Sequence, residues 1–268
     1  QLCAPAAGTE LPFAVDEVAP LTPEEASAVA ERVVALSNHV LAVMEQECEQ
    51  LMARPDRAIN SPAVSTALLT FLERWAATYL MPRPEDYREF ATVAPPLVSA
   101  YGHPEHRSAS SPAPEGMRVL DFVLQKSSLL MAFWRDDADV LRAAMGVMRS
   151  LSTSHRGRTI SELPAWWSLV RAHTAPLTGL DQSPGDLAGS PLLMLSQMAG
   201  EFQLRLQCIL TRMAVCAPSP TTRSRALEDL CRPAELALRR LVERPDWHKL
   251  PGVRSRIAWL LDMYRGIV

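Results

Sequence analysis

Aromatic residues are scarce in this chain: Phe, Trp and Tyr together make up 6% of 268 residues. With Ala, Leu, Val and Met carrying most of the apolar content, that scarcity favours helices over sheets. No segment shows apolar–polar alternation between turn signals, so no strand is predicted. A run of 18 apolar residues is lacking as well, and no transmembrane helix is expected. The five cysteines, Cys3, Cys48, Cys208, Cys216 and Cys231, are scattered and never form a C-x-x-C pair. Three of them fall in helical patterns as small buried hydrophobes, which argues against disulfides or zinc and for a reducing compartment.

Catalytic signatures are lacking too. There is no H-E-x-x-H, no G-x-S-x-G elbow and no Walker glycine loop. His39, His103, His106, His173 and His248 stand far apart, and Cys208 and Cys216 share a helix face but lie too far apart for a joint metal site. No nucleophile with an organised base can be assembled. The reading is a protein that is not an enzyme, with no catalytic residue, no metal ligand and no cofactor. The first residue is Gln1, with no initiator Met and no signal-like segment, so a piece of a longer chain is expected.

What is present is ordinary for a folded protein: 48% hydrophobic and 21% charged residues. The net charge of −3 conceals a gradient. Residues 1–202 hold 15 basic against 24 acidic side chains, whereas residues 203–268 hold 12 against 6. Such a gradient can steer partners, and a solvated helical surface also produces it.

The clearest element runs from Ser61 to Met81. Ser61 can cap, Pro62 suits a first helical position, and Val64, Leu68, Phe71, Leu72, Trp75 and Tyr79 share one face. Leu69 and Leu80 widen that face until the helix needs neighbours on two sides. Upstream, residues 1–20 carry three prolines and no helical period, and read as a disordered tail or linker. Thr22-Pro23-Glu24-Glu25 starts a helix reaching about Ala53, with Val29, Val33, Leu36, Val40, Met44, Cys48 and Leu51 facing inward.

Downstream, short elements are predicted from Pro84 to Thr92 and from Pro95 to Tyr101, then a surface loop over Gly102–Pro114. Helices follow at about Glu115–Trp134, Asp137–Ser152 and Ser161–Ala172. After a loop over residues 174–190 come Pro191–Cys216, Thr222–Glu243 with a kink at Pro233, and Pro251–Ile267. Proline-marked turns join most of them. A globin-like or bundle domain fits less well than a stack of helix pairs, each burying its faces against the pairs before and after.

Some polar clusters invite a chemical reading. Asp136, Asp137 and Asp139 resemble a carboxylate metal site but sit where a helix starts, and capping is the simpler role. Trp166 and Trp167 point about 100° apart on a helix. One is expected to lock neighbouring helix pairs; a partner contact is the lesser reading of the other. His155, Arg156 and Arg158 form a basic loop and Arg239-Arg240 a basic pair, yet no aromatics interleave them as nucleic-acid binding would require. Arg74 is expected at the rim of the apolar stripe, its guanidinium reaching the next helix pair.

Three stretches carry a resemblance. They are L-L-T-F-L-E-R-W-A-A-T-Y-L from Leu68 to Leu80, V-L-D-F-V-L-Q-K from Val119 to Lys126, and Leu163 to Leu169 with Trp166-Trp167. The last is followed by Ser190-Pro191 and by Gly200-Glu201-Phe202. In order and approximate spacing they resemble the central part of export receptors of the karyopherin-β (importin-β) superfamily. The exportin-4 group matches best and the exportin-7 group is the nearest alternative. The resemblance spans roughly residues 60–268; residues 103–114, the Thr178–Gly189 loop and residues 203–250 depart from the pattern.

The resemblance implies an all-α, right-handed solenoid of HEAT or armadillo-like hairpins over residues 21–268. It also implies folded protein cargo, translation initiation factor 5A among the candidates, bound together with Ran-GTP. Ran-GTP would engage parts of the parent chain absent here, and nucleoporins would be further partners. The implied location is nucleus and cytoplasm, shuttling through the nuclear pore, with no nucleic acid or membrane partner. The competing expectation is a helical scaffold for protein–protein interaction outside transport.

Overall fold

Thr22 turns the chain into its first helix. Its backbone N–H donates to Glu25 Oε2 at 2.9 Å, and its hydroxyl accepts from the Glu25 N–H at 3.3 Å. This reciprocal pair is a capping box, with Pro23 at the first helical position. The computed structural model describes residues 22–57, 59–80, 95–101, 115–153, 160–178, 195, 198 and 200–243. The expected tail over 1–20, the Pro84–Thr92 element, the Gly102–Pro114 loop, the His155/Arg156/Arg158 loop and the Pro251–Ile267 helix lie outside them.

The described residues are helical with no strand. In chain order the helices are α1 (Pro23–Ala53), α2 (Pro62–Trp75), α3 (Pro95–Tyr101), α4 (Glu115–Phe133), α5 (Ala138–Thr153), α6 (Pro164–Thr178), α7 (Gly200–Val215) and α8 (Pro220–Val242). After Trp75, α2 widens into a π-helical turn, Ala76–Leu80. Among the described residues no helix is long and apolar enough to cross a membrane.

The starts of these helices follow local chemistry. Ser61 caps α2 by accepting from the Ala63 N–H, and Ser219 accepts from the Thr222 N–H at the head of α8. Helix α6 begins at Pro164 rather than Ser161 because Ile160–Leu163 closes a turn of its own first. It also runs on to Thr178, through Pro176. Helix α7 is described from Gly200, after a turn in which Met198 N–H donates to the Leu195 carbonyl; the expected start at Pro191 lies outside the described residues. Helix α8 continues through Pro233.

One hydrophobic core runs through all the helices from Ala30 to Leu230. Helix α5 lies deepest: Val140, Leu141, Ala144, Val147, Met148 and Leu151 are buried, as the sequence predicts. Each such Leu or Met contributes about 1.5–3 kcal/mol through burial. The closest packing is between α2 and α5. Helix α1 packs on α3 and α4, α4 on α6, and α6 on α8, while α5 packs on both α2 and α7.

Helix α1 differs from the expectation. Met44, Cys48 and Leu51 are buried as predicted, but Val29 and Leu36 are 46% and 53% exposed. Ala26, Ala30 and Ser37 face inward instead, and Val33 and Val40 are only partly covered. Small residues let the first half of α1 lie close to its neighbours, so burial follows fit rather than hydropathy alone. Val64, expected on the inner face of α2, is likewise exposed.

Candidate interaction surface

Polar contacts cross between helices at several points of the surface. Asp121 of α4 accepts the Ala165 N–H at 2.9 Å, capping α6 from a neighbouring helix. Trp134, after α4, donates its indole N–H to Ser65 of α2, whose hydroxyl donates to Glu47 of α1 at 3.0 Å. Arg57, between α1 and α2, donates to the Phe133 carbonyl at the end of α4 and pairs with Asp136 at 2.7 Å. Lys126 of α4 reaches Glu45 of α1 at 3.6 Å.

The aspartate cluster separates into three roles. Asp137 Oδ1 accepts from the N–H groups of Asp139 and Val140, both at 3.0 Å, and so caps α5. Asp136 goes to Arg57, and Asp139 to Arg142 at 3.0 Å. Among the described residues no group of three or more His, Cys, Asp and Glu side chains could hold a metal ion.

Trp166 is fully buried between helices, and Trp167 packs edge-on against it at 4.8 Å. The pair does divide its labour, but Trp167 is half-buried rather than free: the Arg225 guanidinium of α8 lies 5.3 Å from its ring centre. Arg74 is exposed and has no ion-pair partner among the described residues. Its neighbour Glu73 crosses to the next helix instead, accepting from Arg149 at 3.2 Å. One helical step, about 100°, turns Glu73 toward α5 and Arg74 toward solvent.

Two buried groups titrate far from their ordinary values. His173 of α6 meets Gln207 of α7 at 2.7 Å, and Gln207 donates onward to the Leu230 carbonyl of α8 at 2.8 Å. Burial of the ring lowers its pKa to about 4, the hydrogen bond to Gln207 opposing in part. The imidazole is therefore neutral and serves as a strut between three helices. Burial pushes the Cys48 thiol up to about 12, with Lys126 opposing. A thiol held so firmly protonated is a poor nucleophile. Cys208 on α7 is exposed, and Cys216 and Cys231 are partly so. Sequence reasoning missed the His173–Gln207 strut: 34 residues separate the two, and only the α6–α7 packing brings them together.

The row of helices α2, α5 and α7 carries two open grooves flanking α5. One, about 630 Å³, lies along α2 and is lined by Ala63, Ala67 and Thr70 with Glu73, Asp137, Asp139 and Arg142. The other, about 770 Å³, lies between α5 and α7 and is lined by Arg142, Arg149 and Arg205 with Glu201, Met145 and Ile209. Shallow grooves with small and charged linings suit the side chains of another macromolecule better than an enclosed small molecule. No protein-family model matches the sequence.

Proposed function

We propose that this chain is a protein-binding segment of a nuclear transport receptor resembling exportin-4, or a related exportin-7-like receptor, and has no catalytic role. The observation that carries the reading is the order of helix contacts. Helices α1, α4, α6 and α8 follow one another in one row, and α2, α5 and α7 in a second. Steps from one helix pair to the next, with α7 packing on α8 as well, support a neighbour-to-neighbour stack of HEAT-like hairpins. The stretches that carry the family resemblance supply buried joints in these rows, among them Trp75, Leu124 and Trp166.

A second feature supports the same reading. The large hydrophobics most exposed among the described residues, Val29, Leu36, Met52, Ile59 and Val64, all belong to the first helix pair and its loop. Exposed apolar side chains can contribute to contact with another protein surface. On this reading the arch wraps folded protein cargo, a factor such as translation initiation factor 5A being one candidate. Ran-GTP, bound elsewhere on the parent receptor, stabilises the same curvature through linkage. The receptor shuttles between nucleus and cytoplasm and meets nucleoporins on the way.

The test is a pull-down with the full-length parent protein, with and without GTP-locked Ran. Ran-dependent capture of cargo is the expected result. Equal capture in both conditions would reject transport and favour a helical scaffold for other protein–protein interactions.

A further inference from the structure

We infer that α8 is two stiff halves hinged at Pro233, and that Gln207 of α7 is the latch that sets the bend. Only the packing of α6, α7 and α8 is involved, whatever partners the chain has. Pro233 lies inside α8, which stays helical from Pro220 to Val242. A proline has no N–H, so the Asp229 carbonyl four residues back loses its donor, and the ring sits against that carbonyl. The hydrogen-bond ladder of α8 is therefore thinnest over the turn that holds Asp229 and Leu230.

Helix α7 meets α8 at that turn. The Gln207 side-chain N–H donates to the Leu230 carbonyl at 2.8 Å. Only the amide nitrogen can donate there, so Gln207 Oε1 faces His173, and the 2.7 Å contact between them places a proton on His173 Nε2. Both ends of one planar amide are thus engaged, and His173, Gln207 and Leu230 are all buried. An amide tied at both ends fixes how the Leu230 turn stands against α6 and α7. Ala226 and Leu230 seat the first half of α8 in the core, and beyond Pro233 the helix runs on to Val242. Bending at the proline re-aims that second half without repacking the first. In a stack of helix pairs such a bend changes the local curvature.

Spin labels on the full chain test this, with the native cysteines replaced by alanine. One pair joins Arg212 of α7 to Ser224 in the first half of α8, and the other joins Arg212 to Arg239 in the second half; all three positions are exposed. In the wild-type background both distance distributions should be narrow. Gln207→Met removes both hydrogen bonds at similar size, and should broaden the Arg212–Arg239 distribution about two-fold while leaving Arg212–Ser224 as it was. Adding Pro233→Ala supplies the missing N–H and should return the Arg212–Arg239 width to its starting value. Circular dichroism checks each fold. If Gln207→Met does not fold, Gln207→Glu takes its place, since it keeps an oxygen for His173 and offers no amide to Leu230. The proposal would be overturned by an Arg212–Arg239 distribution that is already broad in the wild type or unchanged in the Gln207 variants. Broadening of both pairs together, or broadening that survives Pro233→Ala, would overturn it as well.

Discussion

Trp134 donates its indole N–H to the Ser65 hydroxyl at 3.0 Å, in the interior between α2 and the end of α4. Both groups are buried, and Ser65 passes the interaction on to Glu47 of α1. Removing the hydroxyl with Ser65→Ala strands a donor and loosens Glu47, at a cost of about 1–3 kcal/mol. Trp134→Phe removes the donor instead and leaves the Ser65–Glu47 bond in place, though it also shrinks the side chain. Urea denaturation of the two variants and of their combination measures the coupling. A double variant whose loss equals the sum of the Ser65→Ala and Trp134→Phe losses, with no interaction energy, would count against the relay.

Glu73 lies directly over Gly146, where a side-chain Cβ would clash with the Glu73 carboxylate. Gly146→Ala must therefore push the carboxylate aside and break its 3.2 Å contact with Arg149. Alanine favours a helix interior over glycine by about 1 kcal/mol, and an exposed ion pair contributes no more than that. The expected result is stability within about 1 kcal/mol of the wild type while the Glu73–Arg149 pair is lost, read as vanished coupling in a double-mutant cycle. A loss well beyond that range would show that backbone, not the carboxylate, gives way.

The neutral His173 makes stability depend on pH. Its pKa is about 4 in the folded chain, against about 6.5 when unfolded, so between these values the unfolded chain binds the extra proton. Stability from this group is complete above pH 6.5 and is lost as pH falls through that window, by about 3 kcal/mol at pH 4. Asp229, whose carboxyl burial raises, works in the opposite direction. His173→Gln retains a donor for Gln207 without a titrating ring, and its stability curve should be flatter between pH 6.5 and 4. Parallel curves for variant and wild type would remove His173 from the account.

Much of the helical architecture was legible in the sequence because helix starts and apolar periods are local. Thr22-Pro23, Ser61-Pro62 and Asp137 act as the caps their chemistry suggests, and the buried face of α5 is the predicted one. Where the expectation failed, a distant residue decided the outcome. Asp121 caps α6 across 44 residues of sequence, and the preceding turn moves its start from Ser161 to Pro164. Val29 and Leu36 have the hydropathy of core residues, yet Ala26 and Ala30 occupy the inner face, because closeness of approach is invisible to a periodicity count. The α5–α7 groove gave no local signal at all. Arg142, Arg149 and Arg205 look like ordinary solvated charges until packing sets the two helices side by side.

The claim on which everything rests is that the helices follow one another in rows, so that α1 and α8 stand three packing steps apart. At 8–10 Å a step, that places them about 25–30 Å from each other. Spin labels at Leu36 on α1 and Ser224 on α8, with the native cysteines replaced by alanine, report this distance by double electron–electron resonance. The account predicts a single population at about 25 Å or beyond; a population near 15 Å, the spacing of helices gathered in one closed bundle, would contradict it.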